Sequence, residues 1–244
     1  MKLTVLGNNG PYPKPGGACS GYLFETDDKK ILIDCGNGVL SRLLKICSIS
    51  DIDIIILTHL HSDHISDIMV MKYAIGVNKM KGKCNVTIPL YTPTDDYEMV
   101  KRLNYNNSFN IIPIEEDTII NLDDIEITFR RMKHPIKTFA VKIRKGKKTF
   151  VYSSDTSYNK SLIDFSKNAD LLLCESGLLE EDREDNAPHL SAKQAGEIGK
   201  KAGVKRLILT HFWPEYNLER VKIEASQSFD SILEISQEMK TYYI

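Results

Sequence analysis

The chain has 244 residues, with 42% hydrophobic and 27% charged side chains, a balance typical of a folded globular protein and not of a disordered one. Its 32 Lys and Arg against 33 Asp and Glu give a net charge of −1, which provides no global field to gather nucleic acid or anionic membranes. Because no apolar run approaches the roughly 20 residues that span a bilayer, and the N-terminus turns polar before a signal-peptide core forms, we expect a cytoplasmic protein without a membrane partner.

Short apolar strands alternate with helical stretches along the chain, and no linker rich in Pro, Ser or Gly divides them. We predict eleven strands, at 3–6, 21–25, 31–34, 52–58, 86–91, 111–114, 125–131, 139–143, 149–152, 171–174 and 207–209. Eleven strands are too many for one simple open sheet with its helices. The sequence therefore predicts one α/β domain over residues 1–244, with two packed sheets and helices outside them.

The helices have clearer signals than the strands. In the stretch after residue 64, four apolar residues fall on one helical face, at Ile65, Ile68, Met69 and Tyr73. A helix at 192–202 is marked by Ser191 as N-cap, by Gln194 completing a capping box, and by Gly203 at the C-terminal end. Weaker patterns predict helices at 39–46, 95–103 and 218–228.

The segment THLHSDH, Thr58 to His64, carries the strongest chemical signal, because three of the six histidines fall within six residues. It lies where the predicted strand 52–58 ends and a helix begins, a common position for functional sites in α/β folds. Imidazole and carboxylate together are ligands for zinc, iron or manganese. Adjacent imidazoles without a metal would be costly to bury, so we interpret the segment as metal-binding and not as a hydrogen-bonded polar loop.

Together with four more distant segments, this one resembles the metallo-β-lactamase superfamily, in family order over nearly the whole chain. The distant segments are LIDCG at 32–36, MKHP at 132–135, YSSDT at 152–156 and LILTHF at 207–212. The resemblance implies a four-layer αββα sandwich of two mixed sheets and two divalent ions per chain, by default zinc, with manganese or iron as alternatives. It implies metal ligands at His59, His61, Asp63, His64, His134, Asp155 and His211, with Asp155 bridging the ions. Asp34 would orient the site without binding metal.

His189, in APHLSAKQ, resembles the proton donor of the ribonuclease Z branch, and Glu175, in LLLCES, resembles the glutamate that holds this donor. The alternative is that His189 only caps or precedes the helix that begins after Ser191. A departing phosphodiester oxygen needs a proton whereas a thioester leaving group does not, so the pair favours phosphodiester cleavage. The implied catalytic residues are Asp63, which orients the attacking hydroxide, His189 and Glu175.

Two features differ from ribonuclease Z. Only 20 residues, 135 to 154, separate His134 from Asp155, too few for the projecting arm with which that enzyme grips tRNA, and the N-terminal loop lacks its PxKxRN pattern. The glycine-rich GGACSGY segment instead resembles the atypical cyclic-nucleotide phosphodiesterases. Whether loop 7–21 closes over a substrate is open at this point.

We therefore predict a phosphodiesterase acting on cyclic nucleotides or other small phosphodiesters. The alternatives are a ribonuclease Z-like endonuclease that processes RNA 3′ ends, with RNA as the less favoured partner, and a thioester or lactone hydrolase. A metal-stabilised binding module is disfavoured because structural zinc sites are closed four-ligand sites. Base rates and resemblance are compatible with a homodimer, although no self-complementary patch is visible in the sequence.

Overall fold

Two seven-stranded mixed sheets, each with its own helices, make up the chain in a computed structural model that describes all residues 1–244. Residues 1–114 and 238–243 form the first unit, and residues 115–237 with residue 244 form the second. The assignment of residues 1–244 to a single domain stays a prediction. No helix has the length and apolar character needed to cross a bilayer.

The first unit holds a sheet in the order β14-β1-β2-β3-β4-β5-β6. Its strands are β1 Lys2–Gly7, β2 Gly21–Glu25, β3 Lys30–Cys35, β4 Ile54–Ile56, β5 Ile88–Thr92, β6 Phe109–Pro113 and, from the far end of the chain, β14 Thr241–Tyr243. Its helices are α1 Val39–Leu43, α2 Ser62–Ile65, α3 Ile68–Met80 and α4 Tyr97–Leu103. Strands β3 to β6 run parallel to one another, and β4 is apolar and buried throughout, as is typical of a parallel strand covered on both faces.

The second unit holds a sheet in the order β13-β12-β11-β10-β9-β8-β7. Its strands are β7 Ile119–Leu122, β8 Ile125–Arg131, β9 Phe139–Lys145, β10 Lys148–Tyr152, β11 Leu171–Glu175, β12 Arg206–Thr210 and β13 Ile232–Ile235. Its helices are α5 Lys160–Phe165, α6 Ala192–Ala202 and α7 Leu218–Ser226. Strands β7 to β10 pair antiparallel, and β10 to β13 pair parallel.

All eleven predicted strands are present, two with the predicted ends and nine with shifted ends. Three strands were not predicted, namely β7, β13 and β14, and each is an edge strand of its sheet. Edge strands have few of the continuous apolar residues that mark a buried strand, and Ile119 and Ile232 lie 58% and 59% exposed.

The predicted buried face of the helix after residue 64 is confirmed at Ile65 and Ile68 and is wrong at Tyr73, and the chain forms two helices there. Asp67 lies between α2 and α3, and its carboxylate accepts a hydrogen bond from the Leu40 backbone N–H at 2.8 Å. The buried residues of α3 include Met71 and Ile75, whereas Tyr73 is 50% exposed. The predicted helix at 192–202 is confirmed with its capping box and with Gly203 in the left-handed conformation.

Candidate metal and catalytic site

In the first unit, the histidine-rich segment leaves the carboxyl end of the buried strand β4 and leads into helix α2. The Leu57 backbone N–H donates to the Tyr91 carbonyl at 2.8 Å, which holds the start of the loop against β5. His59 and His64 are fully buried, and Asp63 is 8% exposed. The ring centroid of His59 lies 4.8 Å from that of His61 and 4.0 Å from that of His64. Four of the predicted ligands thus form one cluster at a strand end.

Asp34 fixes this cluster from β3. Its Oδ1 accepts the Thr58 backbone N–H at 2.8 Å, and its Oδ2 accepts the Thr58 hydroxyl at 2.9 Å and Nδ1–H of His64 at 2.8 Å. Asp34 is completely buried and has a positive φ of 55°. A non-glycine residue in that region is strained by about 1–3 kcal/mol, and such strain is concentrated at functional sites.

These hydrogen bonds assign the tautomers of two imidazoles. The Thr58 hydroxyl has one proton, which it donates to Asp34, so toward Nδ1 of His59 at 3.1 Å it can only accept. His64 likewise donates from Nδ1 to Asp34. Both rings therefore carry a lone pair on Nε2, the form in which histidine binds a metal while its other nitrogen is hydrogen-bonded.

Gly36, the last residue of LIDCG, allows the backbone of α2 to approach β3. A Cβ built at this position would lie 1.9 Å from the carbonyl oxygen of Asp63 and 2.7 Å from Cβ of Cys19. Any side chain here would displace the segment that carries Asp63 and His64. In α2 itself, Oδ2 of Asp63 lies 3.5 Å from Nε2 of His64.

In the second unit, the predicted residues follow three neighbouring parallel strands. Asp155 comes after β10, Glu175 ends β11, and His211 follows β12. Because the carboxyl ends of parallel strands meet at one edge of a sheet, these side chains come together, and Oδ2 of Asp155 lies 3.3 Å from Nε2 of His211. Asp155 offers a ligand atom within 4.8 Å of those of both His134 and His211, so its carboxylate could hold a metal ion together with either histidine.

His134 lies in the segment between β8 and β9 and is oriented by a backbone carbonyl. Its Nδ1 donates to the Pro188 carbonyl oxygen at 3.1 Å, which leaves the lone pair on Nε2. Burial lowers the pKa of His134, although the nearby Asp155 carboxylate acts in the opposite direction. The ring is therefore neutral near pH 7, as a metal ligand must be.

Glu175 and His189 form a closely held pair. Oε1 of Glu175 lies 3.1 Å from Nδ1 of His189 and accepts the Thr156 backbone N–H at 2.6 Å. Oε2 accepts the backbone N–H groups of Gly177 and Leu190, each at 3.2 Å. The carboxylate is completely buried and immobilised, whereas the imidazole keeps 23% of its side-chain surface exposed.

The alternative role of His189 as a helix cap does not fit the geometry. Helix α6 is capped by Ser191, whose hydroxyl accepts the Gln194 backbone N–H at 3.2 Å. The ring of His189 instead stacks 5.2 Å from that of His211, at an interplanar angle of 21°. His189 thus packs against another predicted site residue of its unit.

Three residues of this network were not singled out from the sequence. Thr58 and Thr156 contact Asp34 and Glu175, and the carbonyl of Pro188 orients His134. The hydroxyl residue directly before His59 is a signal that the sequence contains, whereas Thr156 contacts Glu175 through a backbone N–H that almost any residue supplies. A backbone carbonyl contact 54 residues away leaves no sequence signal.

Comparisons with known proteins agree with this geometry. The Beta-lactamase superfamily domain matches residues 29–212. The chain is 36% identical over 238 residues to "Probable metallo-hydrolase YhfI" of Bacillus subtilis (strain 168), covering 97% of each chain. The crystal structure of YhfI, described as a metallo-beta-lactamase fold protein, matches with a TM-score of 0.94 at 35% identity and covers 99% of this chain and 98% of that one.

More distant similarities point to one branch of the family. A ribonuclease Z of Thermoplasma volcanium is 28% identical over 268 residues, covering 88% of each chain. A diphosphatase from the PhnP family shares the fold, with a TM-score of 0.73 at 17% identity over 100% of this chain and 97% of that one. The predicted α/β fold with two mixed sheets is confirmed. The chain therefore belongs to the metallo-β-lactamase superfamily, in its ribonuclease Z-like branch, and is a metal-dependent hydrolase.

Proposed function

We propose that the chain is a binuclear phosphodiesterase that hydrolyses cyclic nucleotides or other small phosphodiesters. The observation that carries the proposal is the Glu175–His189 pair, with 3.1 Å between Oε1 and Nδ1. A superfamily hydrolase that only had to activate water would need its metals and their ligands. A buried carboxylate that accepts three backbone N–H groups and holds a partly exposed imidazole is an additional arrangement, suited to delivering a proton.

The proposed ligands fit a pair of divalent ions. They are His59, His61, Asp63, His64, His134, Asp155 and His211. His59, His64 and His134 each have Nδ1 in a hydrogen bond, with the Nε2 lone pair left to bind metal. The nitrogen and oxygen donors suit zinc, with manganese or iron as alternatives. When bound, the ions lower the pKa of a shared water and neutralise charge on the phosphoryl oxygens.

The protein side chains then act at the two ends of the reacting phosphodiester. Asp63 accepts a hydrogen bond from the attacking hydroxide, formed when the activated water releases a proton to solvent, and orients it toward phosphorus. His189 enters the reaction as the imidazolium ion, with Nδ1–H donated to Glu175, and transfers its Nε2 proton to the departing oxygen. Glu175 stabilises the imidazolium and fixes the direction of the ring.

The segment between His134 and Asp155 supports a small substrate. Strands β9 and β10 and the turn at Gly146 occupy most of its 20 residues, so this segment forms a sheet hairpin without an inserted arm. The net charge of −1 offers no general attraction for RNA. Processing of RNA 3′ ends is the second candidate function, because ribonuclease Z of Thermoplasma volcanium matches over most of the chain.

The first experiment measures hydrolysis of bis(p-nitrophenyl) phosphate and cyclic AMP by purified protein whose bound metals are quantified. We expect about two metals per chain and turnover of both substrates. His189→Ala should retain the metals and lose on the order of 10²- to 10⁴-fold in kcat on cyclic AMP. The loss on bis(p-nitrophenyl) phosphate should be smaller, because p-nitrophenolate departs with less need for a proton than a ribose alkoxide does.

Equal losses on the two substrates would argue against proton donation by His189. Loss of metal from His189→Ala would show that the residue is a ligand and not the donor. Two metals without phosphodiester turnover, together with activity on a thioester or lactone panel, would replace the proposal by the hydrolase alternative. Cleavage of a tRNA precursor with inactivity on both small substrates would favour the RNA-processing function.

A further inference from the structure

A small, open cavity in the second unit is lined by His134 and by Pro188, the residue before His189. It has a volume of about 220 Å³ and lies between the segment that carries His134 and the segment that precedes His189. Besides His134 and Ser157, it is lined by Lys133, Pro135, Asp185, Asn186, Ala187 and Pro188. Because Pro188 directly precedes the proposed proton donor, the cavity is adjacent to the segment that carries this donor.

One hydrogen bond joins the two walls, and one further hydrogen bond fixes the backbone of each wall. The Pro188 carbonyl accepts Nδ1–H of His134 at 3.1 Å, and the Lys133 carbonyl accepts the Ser157 backbone N–H at 2.8 Å. The Ala187 backbone N–H donates to the Glu184 carbonyl at 3.0 Å. A group bound here would therefore enter a largely preformed cavity, which limits the ordering that binding requires.

The lining combines apolar surfaces with hydrogen-bonding groups. Pro135, Ala187 and Pro188 offer apolar surface to the faces of a ring. Asn186 supplies both donors and an acceptor, Asp185 supplies acceptors, and Lys133 supplies donors. A planar ring with polar edges matches this set better than a purely apolar group.

The volume of the cavity and the charges that line it further restrict the kind of ligand that fits. Pockets that take up whole drug-sized ligands measure about 300–1,000 Å³, so a cavity of about 220 Å³ suits one ring-sized group. One ammonium and one carboxylate line it, Lys133 and Asp185, so the lining has no excess positive charge to attract a second phosphate. An RNA chain would bring such a phosphate to this side.

We propose that this cavity binds an uncharged nucleobase carried by the alcohol that leaves, so that the preferred substrates are nucleoside phosphodiesters without a further phosphate on the leaving nucleoside. This inference rests on the proposed function, because it uses His189 to define the leaving side. Asn186 and Lys133 are specificity residues that contact the base. His189, in contrast, contacts the leaving oxygen.

Binding of a nucleoside without phosphate tests the cavity independently of catalysis. Calorimetry of adenosine and guanosine with the metal-loaded protein should show binding of at least one of them. Asn186→Ala should weaken that binding by about 3- to 10-fold, the range expected for one lost hydrogen bond. Asn121→Ala is the matched control, since Asn121 is an exposed amide on β7 in the same unit, and it should leave binding unchanged. No detectable binding of either nucleoside, or equal affinities in the two variants, would overturn the proposal.

Kinetics should show the same selectivity. Asn186→Ala should raise KM for a nucleoside cyclic phosphate by about 3- to 10-fold and leave kcat/KM for bis(p-nitrophenyl) phosphate within about twofold, because p-nitrophenol lacks the polar edges of a base. Parallel losses on both substrates would contradict a base-specific contact. Inactivity on every phosphodiester with Asn186-dependent adenosine binding intact would instead reject the proposed function and retain the cavity as a nucleoside site.

The exclusion of a second phosphate on the leaving nucleoside can be tested separately. The substrates are adenylyl-adenosine and its derivative with a phosphate on each outer ribose end, so that either departing nucleoside carries an added charge in the second one. We expect at least a tenfold preference for the first in kcat/KM, and Asp185→Asn should narrow the difference. Lys147→Ala, a surface lysine at the β9–β10 turn, is the control and should preserve the preference. Equal use of both substrates by the unmodified protein would overturn the exclusion of a second phosphate.

Discussion

Asp34 is the residue whose hydrogen bonds set the protonation pattern of the histidine-rich loop. Replacement by Asn keeps the size and tolerates the positive φ of 55°, since Asn adopts the left-handed region more readily than most residues. The amide nitrogen, however, would face either Nδ1 of His64 or the backbone N–H of Thr58, both of which are donors. We expect Asp34→Asn to weaken metal binding by about 10- to 100-fold, measured by competition with a chromogenic chelator.

A matched control is available at Asp123, which also has a positive φ, of 53°, but lies at the β7–β8 turn. Asp123→Asn should keep the metal affinity of the unmodified protein. If Asp34→Asn binds metal with unchanged affinity, Asp34 does not fix the tautomer of His64.

Glu175 is a residue at which even a conservative substitution should disrupt buried hydrogen bonds. Oε1 faces donors from Thr156 and His189, and Oε2 faces donors from Gly177 and Leu190. In Glu175→Gln, either orientation of the amide places its NH₂ group against two donors in a buried site. We expect the free energy of unfolding to fall by about 1–3 kcal/mol, measured by urea denaturation.

Glu184→Gln is the control for this substitution, because Glu184 is exposed and its side chain forms no hydrogen bond or ion pair. Its free energy of unfolding should stay within about 0.5 kcal/mol of that of the unmodified protein. Equal stability of the two variants would mean that the Glu175 site can rearrange to satisfy its donors.

Helix α6 begins three residues after His189, and its N-cap is Ser191. Ser191 caps it by accepting the Gln194 backbone N–H, and its own hydroxyl also donates to Glu180. Ser191→Ala removes the cap and should lower the free energy of unfolding by about 1 kcal/mol, measured by denaturation. Ser161→Ala, at an exposed position inside α5, should be neutral or slightly stabilising because Ala has the higher helix propensity. A neutral Ser191→Ala would show that Glu180 and its neighbours maintain the helix start without the cap.

Elements with a local signal were predictable from the sequence. Helix α6 carries its cap, its capping box and Gly203 within its own residues, and the buried strands β4 and β11 are continuous apolar runs. The edge strands β7, β13 and β14 were missed because half-exposed strands do not need such runs. The two-helix turn at Asp67 was missed because it depends on a contact with Leu40, 27 residues earlier.

Part of the candidate site was likewise predictable from the sequence, and part was not. The histidine-rich segment and the strand-end positions of Asp155 and His211 are visible in the sequence, and the structure places them at strand ends. The Pro188 carbonyl that orients His134 and the cavity beside it depend on two segments about 50 residues apart. Tertiary structure alone brings these segments together.

The proposed ligands are spread along the sequence from His59 to His211, so an unfolded chain does not hold them in one place. An ion that binds only the folded chain stabilises it by RT ln(1 + [L]/Kd), about 2.7 kcal/mol at a free metal concentration of 100 Kd. For a chain of this size, 1 kcal/mol corresponds to about 2–4 °C in Tm. Removal of metal with a chelator should therefore lower Tm by roughly 5–10 °C, measured by scanning calorimetry at fixed free zinc.

The Asp34→Asn variant makes this prediction quantitative. With metal affinity reduced 10- to 100-fold, the same free zinc corresponds to about 1–10 Kd, and stabilisation falls to about 0.4–1.4 kcal/mol. The zinc-dependent rise in Tm should then shrink to about 1–5 °C, and higher zinc should restore it. Because the shift depends on affinity alone, it separates a weakened site from a damaged fold, which would lower Tm in the chelated protein as well. A Tm that does not respond to zinc in the unmodified chain would contradict a metal site formed by folding.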